Sequence, residues 1–245
     1  MKRIFIFQLL IIFLLGFSGI SRGDLINQVP YGSLTGTGLI TLNDIPDGGV
    51  PGTNYDAIIK SSGAAFGERF LGQTLSTSGD FDVLSGPPTG GLSLAVGASN
   101  QNLCVLSLPL GGITSQLLAG IGHNGYPNNN AIGEGSIAVL FDYDQSEFGF
   151  RLVGANTGDA YLSFFRRDGS LIEAIILSGL SNTFYGFQRD GGNMDIAGIS
   201  IYNTDPGGIA FDSLKHDVPV PEPSTMLLLG SGLFGLIGFR KKFKK

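Results

Sequence analysis

The second half of the chain alternates apolar and polar residues with a period of two, the signature of strands with one buried face. In "GSIAVLFDY", Ile137, Val139 and Phe141 fall on one side, and in "EFGFRLVG" Phe148, Phe150 and Leu152 do the same. "AYLSFFRRDGSLIEAIILSG" predicts two strands joined at Arg167-Asp168-Gly169-Ser170, because Asp-Gly readily adopts the positive φ of a hairpin turn. "NTFYGFQRDGGNMDIAGISIYN" repeats that scheme around Asp190-Gly191-Gly192, and "GIAFDSLKHD" supplies a closing strand. No long stretch carries apolar residues at helical spacing. The spacing of turns predicts an all-β fold, an antiparallel β-sandwich or jelly roll.

The two ends break this pattern. Ile4 to Phe17 form an apolar run interrupted only by Gln8 and Gly16, preceded by Lys2 and Arg3 and followed by small residues. That is the layout of a signal peptide over residues 1–23, for export and removal by signal peptidase. The run is shorter than the roughly 20 residues of a membrane-spanning helix, which weighs against an N-terminal anchor. At the other end, residues 225–239 read as a short transmembrane helix, and Arg240, Lys241, Lys242, Lys244 and Lys245 follow at once. Such a basic cluster holds the end of the helix on the cytoplasmic side. An ordinary single-span anchor shares that design. It does not need Pro221-Glu222-Pro223, which keeps the preceding stretch extended and open to a peptidase.

In order and spacing, residues 218–245 resemble the PEP-CTERM sorting signal of Gram-negative bacteria: Pro221-Glu222-Pro223, a short apolar helix, then a basic cluster. The resemblance implies recognition by exosortase, an inner-membrane cysteine protease-transpeptidase, and removal of the tail near Pro221-Glu222. It makes the inner membrane a transient partner. It makes the cell surface or extracellular matrix the destination, in a species that produces exopolysaccharide and biofilm. Residues 24–217, read as one domain, resemble the lectin-like jelly-roll domain common in such proteins. That likeness rests on Phe141-Asp142, Phe148-Gly149-Phe150, Phe164 to Gly169 and Gly208 to Leu214, with "GLITLNDIP" as the matching first strand. It implies the shape of a carbohydrate-binding module. It also implies first and last strands close enough for their acidic residues to share a calcium ion. Asn43, Asp44 and Asp212 hold those places here; Asn43 departs from the Asp that family members often carry. A backbone amide is the alternative partner for Asp212.

Removing the ends changes the charge. The whole chain carries 15 Lys and Arg against 20 Asp and Glu, a net charge of −5. Between Asp24 and Val220 the count is 7 against 19, a net charge of −12. So acidic a domain argues against nucleic acid as a partner and is compatible with a hard, oxygen-seeking cation such as calcium. Cys104 is the one cysteine, so an internal disulfide and a cysteine-based zinc cage are both excluded. It lies in the apolar "NLCVLSLPL" and reads as a small buried hydrophobe. The alternative, a nucleophile, needs a base, and nothing in the sequence brings His123 or His216 to it.

Two further stretches carry candidate chemistry. In "GHNGYPNNN", His123, Asn124 and Tyr126 offer an imidazole, an amide and a ring that could contact a sugar; the alternative is a plain polar connection. In "FDYDQSEFG", Asp142 and Asp144 share one face of a strand, and with Glu147 they read as a solvated strand edge; the alternative, a calcium loop, lacks the Gly and the distal Glu of an EF-hand. No nucleophile elbow, zinc-protease helix or phosphate loop is present. The sequence therefore reads as a non-catalytic protein of adhesion or exopolysaccharide binding. A secreted carbohydrate-active enzyme with an unrecognised site is the alternative.

Overall fold

The computed structural model describes residues 25–110 and 113–218. The signal-peptide reading and the sorting signal from residue 219 onward lie outside the described residues. Within them the chain is strands and turns with three single-turn 3₁₀ segments, and no helix is long and apolar enough to cross a membrane.

The first half supplies short strands: β1 (Ile26–Val29), β2 (Gly38–Ile40), β3 (Thr53–Tyr55), β4 (Ile59–Ser61), β5 (Ala64–Gly67), β6 (Arg69–Phe70), β7 (Thr74–Ser78), β8 (Phe81–Ser85) and β9 (Leu94–Ala95). Longer strands follow: β10 (Leu103–Leu110), β11 (Ile113–Gly120), β12 (Ile137–Gln145), β13 (Glu147–Val153), β14 (Asp159–Phe165), β15 (Leu171–Ser178), β16 (Phe184–Arg189), β17 (Ile196–Asn203) and β18 (Ala210–His216). An eight-stranded sheet runs β1-β16-β13-β18-β11-β10-β3, with β2 also paired to β18. A six-stranded sheet runs β15-β14-β17-β12-β5-β4. The named pairings are antiparallel, as expected for a sandwich.

The alternation read from the sequence builds the core between these sheets. Val139, Phe141, Leu162, Phe164, Ile199 and Ile201 of one meet Phe148, Phe150, Leu152, Phe187, Phe211 and Leu214 of the other. Phe150 and Phe211 meet edge-on with ring centres 5.0 Å apart, a geometry the ring quadrupoles favour. The outer face of the six-stranded sheet is also covered. Phe70 and Leu92 of the β6–β9 excursion pack on Ala138, Phe165 and Ala197. Strand β17 is thus buried on both faces, which is why "IAGISIY" is apolar almost without a break.

Three local features settle the frame. The Arg167–Ser170 hairpin forms as expected, with the Asp168 carboxylate accepting the Ser170 amide at 2.9 Å. The Asp190–Gly192 turn is not a hairpin: β16 lies in the eight-stranded sheet and β17 in the six-stranded one, so this turn carries the chain between layers. Arg189, buried, holds that corner by donating to both oxygens of Asp195 at 2.6 and 2.8 Å. Along β18, Arg151 faces Asp212 but Gly149 faces Lys215, so one extra residue is accommodated with Ser213 at φ 51°. That bulge turns both Phe211 and Leu214 inward.

Register also fixes where the ends lie. Ile26 pairs with Arg189, Gln188 with Glu147, and Phe148 with His216. The first strand therefore begins, and the last strand ends, at one pole of the sandwich, three strand spacings or about 14 Å apart. The connections 96–102, 121–136, 154–158 and 204–209 lie at the opposite pole.

Candidate functional site

At the pole where the first strand begins and the last one ends, Asp217 directly follows β18. Its Oδ2 accepts the Ser146 amide at 2.6 Å, the Ser146 hydroxyl at 2.9 Å and the Glu147 amide at 3.3 Å. Only residues 218–220 separate this clamp from Pro221. Pro221, Glu222, Pro223 and the cluster Arg240, Lys241, Lys242, Lys244 and Lys245 lie outside the described residues. Glu147, expected on a solvated edge, is buried instead: its carboxylate accepts the Gly36 amide, the Thr35 hydroxyl and the Gln188 side chain. Asp144 does sit at the surface, where it accepts two bonds from Arg167 at 2.6 and 3.0 Å.

The two calcium-candidate carboxylates have partners in different sheets. The strand that the jelly-roll likeness takes as the first, β2, is the second in the chain, since β1 precedes it; it pairs with the closing strand β18, Ile40 opposite Leu214. Asp44, exposed in the turn after it, accepts the Ser61 hydroxyl of β4 at 2.5 Å. Asp212 accepts the Ser213 amide at 2.6 Å and lies 3.8 Å from the Arg151 guanidinium. Asn43 is exposed. Among the described residues, no three His, Cys, Asp or Glu side chains form a group able to hold a metal ion.

The opposite pole brings the loop candidates together with acidic residues that the sequence did not single out. Tyr126 does not present a free ring. It packs among the apolar residues outside β10 and β11, and its hydroxyl donates to the Gly52 carbonyl at 2.9 Å. Its amide donates to the Asn100 carbonyl at 2.8 Å, tying two loops. Asn124 is exposed and donates to Asp80 at 2.9 Å, which fastens the loop to the tip of the β7–β8 hairpin. His123 is half-buried, and its Nδ1 has no partner.

Beneath that loop lie Asp82 and Glu134, 2 % and 4 % exposed. The Asp82 carboxylate accepts the Ser136 amide at 3.0 Å, and the Asp82 amide donates to the Glu134 carbonyl at 3.1 Å. Burial raises the Asp82 carboxyl, opposed by the Ser136 amide and by the charges of His123 and Arg69. Glu134 Oε2 has no hydrogen-bond partner. Burial pushes its carboxyl up to about 7, and the negative charges of Asp80 and Asp205 add to the effect. A carboxyl so placed is neutral in mildly acidic solution and is forced to ionise within a buried site near neutrality. The one sequence clue was a lone Glu bracketed by Gly133 and Gly135, where backbones cross closely.

Cys104 is fully buried within the outer apolar layer of the eight-stranded sheet, as its sequence context predicts. Burial pushes its thiol up to about 12, far from the pKa of a reactive thiolate.

The PEP-CTERM protein-sorting motif matches residues 219–242, beginning two residues after Asp217. No curated protein matches the chain. The chain thus carries an exosortase sorting signal, which routes an exported protein to a surface or extracellular destination.

Proposed function

We propose that this is a non-catalytic protein of a Gram-negative cell surface or extracellular matrix, acting in adhesion or exopolysaccharide binding. One observation carries the reading: both described ends leave the sandwich at one pole, and the sorting motif begins within two residues of that pole. The 96–102, 121–136, 154–158 and 204–209 connections lie at the opposite pole from the residue where the sorting motif begins. A domain of charge −12 held in this way stays soluble and displays its loops and sheet faces to the surrounding matrix.

Two measurements test this. Replacing Glu222 and Pro223 with alanine abolishes tail removal, read by mass spectrometry of the mature C-terminus; an unchanged C-terminus overturns the sorting part. A column of the producing species' own polysaccharide retains the exported protein without shortening the polymer; passage straight through overturns the binding part.

The reading as a carbohydrate-active enzyme gains from Glu134 and Asp82, two carboxyls raised by burial in one cluster, as acid catalysis requires. Both are almost fully enclosed, so a polymer has no path to them in this conformation. Release of reducing ends by the purified protein, abolished in Glu134→Gln, is the outcome that favours the enzyme.

A further inference from the structure

On the flank of the six-stranded sheet, a cleft of about 420 Å³ opens between its outer face and the residue 92–94 strap. Its floor is Ala65 and Leu140, neighbours across β5 and β12. Its roof is Leu92 and Leu94. The roof is fixed to the Arg167–Ser170 hairpin, because the Leu92 amide donates to the Arg167 carbonyl at 3.0 Å. Lys60 lies opposite Ala65 on the edge strand β4, so the cleft is open along the sheet edge. Lys60, Asp142 and Arg167 form its polar rim.

The charges of this rim set it apart. In a strongly acidic domain, cations find partners: Arg69 with Glu68, Arg151 with Asp212, Arg189 with Asp195, and Lys215 with the Leu34 carbonyl. Among the described residues Lys60 is the exception, an exposed ammonium with neither ion pair nor hydrogen bond. Arg167 is held rigidly. It donates to the Phe141 carbonyl at 2.9 Å and, from two nitrogens, to Asp144. Of the five N–H groups of a guanidinium, two are left for a ligand.

We propose that this cleft binds a sugar residue bearing a carboxylate, the repeating unit of an acidic polysaccharide. The inference rests on the polysaccharide-binding reading above and assigns its site. The apolar C–H face of the ring lies on the leucines. The Asp142 carboxylate and the Ser93 hydroxyl take ring hydroxyls. The carboxylate of the sugar pairs with the Lys60 ammonium and the uncommitted Arg167 donors. The volume suits one or two rings and falls within the usual range of small-ligand sites, roughly 300–1,000 Å³. A polyanion is repelled by the domain as a whole, so these two cations decide whether it is retained.

The test is calorimetric titration of the exported protein with trigalacturonate and with its methyl ester, which keeps the rings and removes the charge. The expected result is saturable binding of the acid, at least tenfold weaker binding of the ester, and at least a tenfold loss in Lys60→Ala. Arg151→Ala, which removes a cation paired with Asp212 on the eight-stranded sheet, leaves binding unchanged. Equal affinity for acid and ester, an unaffected Lys60→Ala, or no heat with either ligand overturns the proposal. Native polysaccharide retained equally by wild type and Lys60→Ala overturns the cleft alone. Failure to retain any polysaccharide overturns the broader function as well.

Discussion

The carboxylate of Asp217 grips Ser146 twice, at the amide and at the hydroxyl, and so staples the end of β18 to the start of β13. It is the last side-chain clamp before the sorting motif.

Asp217→Ala leaves the Ser146 and Glu147 amides without their acceptor. We expect a loss of about 1–3 kcal/mol and faster hydrogen exchange confined to the Ser146–Phe148 and Lys215–His216 segments. Uniform acceleration across both sheets would show that the clamp is not local.

Glu134 makes stability depend on pH, with a definite sign. The carboxyl titrates near 4.5 when unfolded and about 7 when folded. Between these values the unfolded chain has lost a proton that the folded chain keeps, so stability falls as pH rises, then levels off above about 7. The full effect is on the order of 3 kcal/mol at most. Glu134→Gln should flatten most of this slope in denaturation measured from pH 4 to 8. A slope unchanged by the substitution would assign the effect elsewhere; Asp82, raised in the same direction, is the first alternative.

Cys104 should resist thiol reagents at pH 8 in the folded protein and react promptly in denaturant. Full burial and a thiol pushed up to about 12 both suppress the thiolate. Stoichiometric labelling without denaturant would contradict its place in the apolar layer.

Gly149, the centre of the Phe-Gly-Phe segment, is bare because Tyr31 and Leu34 pack directly on the strand. A Cβ there would lie 2.5 Å from Leu34 Cδ1, 2.8 Å from Tyr31 Cδ2 and 2.9 Å from the Tyr185 carbonyl. Gly149→Ala should cost about 1–3 kcal/mol through overpacking. It should also loosen the 31–33 turn, read as loss of the 2.8 Å bond from the Tyr31 hydroxyl to the Ser213 carbonyl. A variant as stable as the wild type would show that this turn yields freely.

Much of the fold was legible because a strand's period of two shows directly in which residues are apolar. β12 to β15 and the Asp168-Gly169 turn follow from local pattern alone. The β6–β9 excursion was not legible, because its strands are two to five residues long and cover the sheet through scattered side chains such as Phe70 and Leu92. The Asp190–Gly192 turn misled for a related reason: a turn's residues report its φ values, not which sheet the next strand joins. Of the candidate site, His123 and Asn124 were visible as polar loop residues. The anchoring of Tyr126, the isolation of Glu134 and the free charge of Lys60 were not.

By itself the sequence determined the route and the class of fold. A sorting signal is read by its order along the chain, and alternation acts between near neighbours, so neither needs the third dimension to be seen. Only the tertiary structure decided that both described ends share a pole, that Asp44 and Asp212 take partners in different sheets, and that Lys60 stands unpaired beside a cleft. Each depends on strand register and on which side chains meet across layers, and such contacts join residues far apart in the chain, where no local pattern records them.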